Sequence, residues 1–318
     1  MVGLIHKHSA HTELARFFCA SLTALLLFVQ PAVAQRRSTA GSQPATSPLV
    51  ITTEPNAIIW IDDIRRGVTD ASGRLEVKKI LPGRHSVRVR ASGFKEATTP
   101  LLPGKRSLAV KLLKTNDQAE LLFQQAEEAR ERARDDQSRQ KAAELYREAL
   151  QLRQGFPAAH VGLARVLLDL NKSQEALAEI AAARRNRPVY PEASAVEGRI
   201  HKEAAFTDDA ILSFRRAIRE AKGFQPEAYV GLARVFEEQG KFEEAIDSLK
   251  KALAQLSDSE PVIYQLLGAA YEKQQKYKEA LDAYEKYLAL APNGSLAPAI
   301  RSIMEQLRRD TEGHEIIP

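Results

Sequence analysis

The sequence predicts a multi-domain chain: a small all-β sandwich, then an all-α solenoid of about five helical hairpins closed by a capping helix. Three observations carry this. Ala142, Ala176, Ala210, Ala245 and Ala280 recur at intervals of 34, 34, 35 and 35 residues, a period that belongs to stacked helix pairs. A bulky residue follows each alanine by four places (Tyr146, Ile180, Phe214, Leu249, Tyr284), and Pro157, Pro191, Pro226 and Pro261 open four of the units. Upstream, turn signals at Pro82-Gly83, Ser92-Gly93 and Pro103-Gly104 cut residues 49–113 into short β-prone runs.

In chain order, residues 1–34 read as a signal peptide. Lys7 and Arg16 make a basic start, residues 17–29 form an apolar run, and Pro31 precedes Ala32-Val33-Ala34, with Gln35 as the expected new N-terminus. The run is shorter than the roughly 20 residues of a membrane span, so no stable membrane insertion is expected after cleavage. Cys19 lies inside the run behind Phe18, not behind a small residue, so no lipid anchor is expected. It is the only cysteine, and its loss suits an oxidising compartment and excludes disulfides and thiolate chemistry. The expected location is exported, periplasmic or extracellular. Residues 35–48, rich in Ser, Thr, Gly, Ala and Pro, read as a flexible linker.

Within 49–113, residues 49–53 and 57–61 read as strands and Asp62-Asp63 as part of a turn. Residues 86–90 alternate, with Val87 and Val89 on one side and Arg88 and Arg90 on the other. The segment holds twelve Lys and Arg against six Asp and Glu, in a chain of net charge +5. Lys78, Lys79, Arg84, Arg88 and Arg90 are therefore candidate contacts for an anionic envelope polymer, with Trp60 and Phe94 as aromatic support if exposed. The competing reading is a strand that keeps its charged face wet.

Glu54-Pro55-Asn56-Ala57, Ile59-Trp60-Ile61-Asp62, Gly67-Val68-Thr69-Asp70, Leu81-Pro82-Gly83-Arg84-His85 and Gly93-Phe94 together resemble the PEGA domain. That resemblance implies a small β-sandwich module of prokaryotic envelope and surface proteins. It departs from the pattern at the naming tetrapeptide, which reads Glu-Pro-Asn-Ala, and at Asp63, which replaces the usual glycine of the first β-hairpin.

Residues 114–117 make a short joint, with Thr115 or Asn116 expected to cap the first helix. The solenoid is expected over 117–309. Its first unit is degenerate. Then His160-Val161-Gly162-Leu163-Ala164-Arg165 recurs as Tyr229-Val230-Gly231-Leu232-Ala233-Arg234, and the last unit carries Tyr264, Leu267-Gly268, Tyr271, Ala280, Tyr284 and Pro292. This array resembles tetratricopeptide repeats (TPRs) over roughly 117–294. Small residues are expected where two helices cross. Ser295 is read as the cap of a final helix to Arg309, with Leu296, Ile300, Ile303 and Leu307 on its buried face.

No catalytic residue, cofactor or metal is expected. His85, His160, His201 and His314 fall in different units, and no glycine-rich phosphate loop follows a strand and opens a helix. Nucleic acid is not an expected partner of an exported protein. In a TPR-like array the first helix of each hairpin lines the concave face. Arg165, Arg199 and Arg234, 34 and 35 residues apart, are then expected to form a ladder facing an extended acidic peptide, since the guanidinium fork grips a carboxylate at two points. Asp169, Glu203 and Glu238, each four residues on, offer internal neutralisation as the competing reading. The expected function is a non-enzymatic adaptor of the bacterial envelope whose groove binds a protein segment. The alternative is polymer or glycan binding through the basic β domain, with the repeats as spacer.

Overall fold

The computed structural model describes residues 48–314 except 63, 79, 81, 82 and 257–259, with side chains to residue 309. The expected signal peptide, nearly all of the linker and Lys79 lie outside the described residues.

Among the described residues the β region has nine strands: β1 (Leu49–Thr52), β2 (Ile58–Ile61), β3 (Ile64–Val68), β4 (Arg74–Val77), β5 (His85–Arg90), β6 (Phe94–Lys95), β7 (Ala97–Leu101), β8 (Ser107–Ala109) and β9 (Leu113–Lys114). One sheet has the order β4-β1-β8, a second β3-β2-β5-β7, and β6 pairs with β9. Alternation decides which side chains meet. Ile59 and Ile61 lie opposite Val89 and Val87, and with Leu49, Ile51 and Leu101 they form a single apolar core. Asp62 closes the β2–β3 turn at positive φ. Its carboxylate accepts from the Ser86 amide at 2.8 Å and meets His85 Nδ1 at 2.5 Å.

The helices follow as α1 (Gln118–Arg132), α2 (Asp136–Leu152), α3 (Pro157–Asp169), α4 (Ser173–Asn186), α5 (Pro191–Glu203), α6 (Thr207–Glu220), α7 (Pro226–Glu238), α8 (Phe242–Gln255), α9 (Pro261–Lys273), α10 (Tyr277–Leu290) and α11 (Ala297–His314). Among the described residues they pair as five hairpins, α1/α2 to α9/α10, and α11 packs on α10. The four expected prolines each occupy the first turn of α3, α5, α7 and α9, where a missing N–H costs nothing. Asp117, not Thr115 or Asn116, caps α1, its carboxylate accepting from the amides of Ala119 and Glu120 at 3.0 and 3.3 Å. The buried face of α11 is Ala297, Ile300, Met304 and Leu307, while Leu296 and Ile303 are exposed. That face steps by three and four residues from a helix that begins two residues after the expected cap.

Aromatic rings fill the space between helices by lying against glycines. A Cβ on Gly162 would sit 2.4 Å from the Tyr146 ring, and one on Gly268 2.5 Å from Tyr284. Phe214 of α6 is held on both sides, since Cβ atoms on Gly198 and Gly231 would lie 2.6 and 2.3 Å from its ring. The aromatics of second helices thus enter the crossings of their own and the following hairpin, which is how units that cannot bury an apolar face alone become one array.

Besides its sequence neighbours, α3 touches α1 and α5, and α5 touches α7. The first helices α1, α3, α5 and α7 therefore form a continuous inner wall. The β region and the helical array belong to one compact unit.

Candidate interaction groove

The inner wall is a lattice of charge. Arg165 of α3 reaches Glu192 at the start of α5 at 3.2 Å and Glu227 at the start of α7 at 3.4 Å. Arg199 of α5 lies 3.9 Å from both Asp169 and Glu227. Lys202 binds Glu238 at 2.9 Å and Glu203 at 3.5 Å. The neutralising carboxylates thus come mainly from neighbouring hairpins, not from the residue four places along the same helix. Asp169 pairs with Arg199, not with Arg165, and Glu238 with Lys202, not with Arg234. Burial alone lowers the Arg165 pKa, but Glu227, Glu192 and Glu127 outweigh it and raise the value. The reciprocal effect holds for Glu227: burial raises its pKa, and Arg165 and Arg199 more than reverse this.

The wall is also partly covered, which corrects the expectation of a free groove. Arg90 is 7 % exposed, not on a wet face. Its guanidinium bonds Glu96 at 2.8 Å, reaches Glu127 of α1 at 3.4 Å, and lies 4.6 Å from the Phe123 ring and 5.1 Å from the Trp60 ring. Arg88 stacks on Trp60 at 4.4 Å and pairs with Glu96 at 3.5 Å. Gln124 of α1 accepts from the Gly93 amide at 3.0 Å and donates to the Phe94 carbonyl at 2.8 Å. Arg65 of β3 reaches Glu131 at 2.9 Å, and Ile64 packs against the apolar cluster of the later hairpins. The tip of the β2–β3 hairpin therefore bridges the inner wall. Trp60, Arg65, Arg88 and Arg90 face Glu127, Arg130, Arg165, Glu192 and Glu227 across a polar cavity of about 330 Å³.

Of the expected polymer contacts, Arg90 is thus committed to α1 and Arg88 is partly buried against Trp60, whereas Lys78 and Arg84 are exposed. Trp60 and Phe94 are half-buried. Among the ladder residues, Arg165 is locked in the network, Arg199 holds longer pairs, and Arg234 is exposed. Sequence reasoning missed Glu127, Gln124, Glu192 and Glu227. The recurrence of Glu192 and Glu227, 35 residues apart at the second place of α5 and α7, was the available signal for two of them.

Glu127 is the pivot of the docking. It also accepts a short hydrogen bond from the Tyr146 hydroxyl. Burial raises its pKa, and Arg130, Arg90 and Tyr146 together reverse this and hold it below the ordinary value. A carboxylate whose folded pKa is depressed contributes stability above its unfolded pKa and loses it as pH falls through the folded one. We expect the melting temperature to hold down to about the ordinary Glu range near pH 4.3 and to fall below it. Glu127→Gln should be less stable at neutral pH and fall less steeply in acid. An identical acid slope in the variant would remove Glu127 from the account.

Among the described residues, no group of three or more His, Cys, Asp or Glu side chains is placed to hold a metal ion. No helix among them is long and apolar enough to cross a membrane. His160 is held by Glu179 at 2.6 Å and the Gln154 carbonyl at 2.8 Å, and so ties α3 to α4.

A curved array of helical hairpins with a lined inner wall defines the chain as a helical-repeat protein. The repeats are tetratricopeptide repeats: family models for them match residues 133–200 and 224–293. Solved structures agree in fold. A thermophilic TPR protein of Thermus thermophilus shares 22 % identity over 59 % of this chain and 98 % of its own, with a TM-score of 0.50. The pilF protein of Pseudomonas aeruginosa shares 16 % identity over 62 % of this chain and 87 % of its own, with a TM-score of 0.53. No curated protein matches the sequence. Tetratricopeptide arrays act in general as scaffolds for protein interaction and are typically not enzymes.

Proposed function

We propose that this protein is an exported interaction scaffold of the bacterial envelope, with a PEGA-type β module docked into its own repeat groove and a protein segment bound on the wall that remains. The observation that carries the reading is the division of the inner wall. The β module takes α1 and faces α3, while Val230 of α7 and Val262 of α9 border an open pocket of about 550 Å³. A rigid, concave, partly apolar surface lowers the ordering cost of an extended partner. Export rests on the basic start, apolar run and Ala32-Val33-Ala34 of the N-terminus. Placement in the envelope rests on the resemblance of residues 49–113. Polymer binding through the β module is the weaker reading, because Arg90 is turned inward.

The test is photo-crosslinking in intact cells. With benzoylphenylalanine at position 230 we expect discrete crosslinked partners in the envelope fraction. With the same group at Leu212, 61 % exposed on α6, we expect none of them. The same products from both positions, or none from position 230, would refute the scaffold reading. A product that retains residues 1–34 in the cytosol would refute export.

A further inference from the structure

The charge lattice of the inner wall stops short of its last first helix, α9. Glu192 and Glu227 stand at the second place of α5 and α7, and the same place in α9, 35 residues after Glu227, is Val262. Arg165 takes both glutamates and Arg199 takes Glu227. By the same register Arg234 meets position 262, where valine has nothing to offer. Arg234 is exposed and has no ion-pair or hydrogen-bond partner among the described residues. Of the carboxylates that line the same pocket, Glu203 is held by Lys202 and Glu227 by two arginines, while the Glu260 charge acts on Arg66.

Below Arg234 lies the open pocket, lined by Val230, Val262, Ile263 and, from the β module, Ile64. Val262 is 50 % exposed. An apolar floor beside a single uncommitted guanidinium selects for an apolar group next to an anion. We propose that the pocket takes an extended protein segment with an apolar side chain adjacent to a carboxylate. The apolar group sits between Ile64, Val230 and Val262, and the carboxylate sits on Arg234. The assignment rests on the scaffold reading and gives its partner a chemistry.

The test uses fluorescence anisotropy on the purified chain. The probes are C-terminally amidated, fluorescein-labelled Gly-Leu-Glu-Leu-Glu-Gly and its identically labelled twin without carboxylates in the peptide, Gly-Leu-Gln-Leu-Gln-Gly. We expect the acidic peptide to bind at least about tenfold tighter, the effect of one charged hydrogen-bonding partner. Arg234→Gln should reduce it to the level of the twin. Val262→Glu, which supplies the missing lattice carboxylate, should do the same with an unchanged circular dichroism spectrum and melting temperature. Equal binding of the two peptides, no binding of the acidic one up to millimolar concentration, or full binding by Val262→Glu would each overturn the proposal. So would a concentration-dependent dimer abolished by Val262→Glu, which would make a second copy the occupant. Crosslinked partners at position 230 that survive Arg234→Gln would leave the scaffold reading standing and remove only this chemistry.

Discussion

Arg90→Ala is expected to cost about 3–5 kcal/mol, the range for removing one partner of a buried ion pair. The residue is 7 % exposed, and its guanidinium serves four neighbours at once: Glu96 and the ring of Trp60 in its own module, and Glu127 and the ring of Phe123 in α1. Without it, Glu127 keeps a charge in a site built for two cations and retains one cation, Arg130, and the Tyr146 hydroxyl. Arg65→Ala is the matched control. The Arg65–Glu131 pair, at 2.9 Å, is shorter than the 3.4 Å Arg90–Glu127 pair that also reaches α1, but its arginine side chain is 44 % exposed, and a solvated pair contributes about 0–1 kcal/mol. Burial, not distance, therefore ranks the two. Urea denaturation of both variants measures the difference. Arg90→Ala should also open the joint at residues 114–117 to proteolysis, because the β module loses its hold on α1. Equal and small losses would mean that the arginine is held without holding anything.

The second large effect is expected at Phe214. Its side chain is fully buried and lies between the glycines of two successive first helices. Phe214→Ala removes a ring that joins the third hairpin to the fourth and should cost about 3–5 kcal/mol. The apolar core falls into two clusters, one ending at Ile200 and the other beginning around Ala195, Ala210 and Phe214. In an array held by neighbour contacts, loss of this ring should broaden the unfolding transition or split it. Gly231→Ala should also destabilise, by about 1–3 kcal/mol, since its methyl group would overlap the same ring. Combined with Phe214→Ala it should cost less than the sum, because the methyl then enters the space that the ring has left. Strict additivity would show that ring and glycine are independent.

The period of the alanines and the four prolines made the helical array legible, because each repeat must place a small residue and a helix start at the same point. Val87 and Val89 were legible for a similar reason: strand alternation sends them to one face. What alternation does not tell is what covers the other face. Arg90 was therefore expected in water, although α1, 37 residues away at Glu127, covers it. The internal pairing expected for the ladder arginines went astray in the same way. The rule that pairs residues four apart sees only one helix, whereas Arg165 finds its carboxylates 27 and 62 residues downstream, on the next first helices. The α1 cap fell to Asp117, whose carboxylate reaches two amides where the nearby Thr115 hydroxyl meets only the Asp117 amide. For both arginine readings the local pattern was sound and a contact between units decided the outcome.

The docking of the β2–β3 hairpin on the inner wall is tested most directly by a photo-reactive residue at its tip. With benzoylphenylalanine at Ile64 in the purified, diluted protein, illumination should join the tip to peptides that carry Pro226, Val230 or Ile263, the residues that share its pocket. Crosslinks confined to the β module, or found only between molecules, would contradict the account.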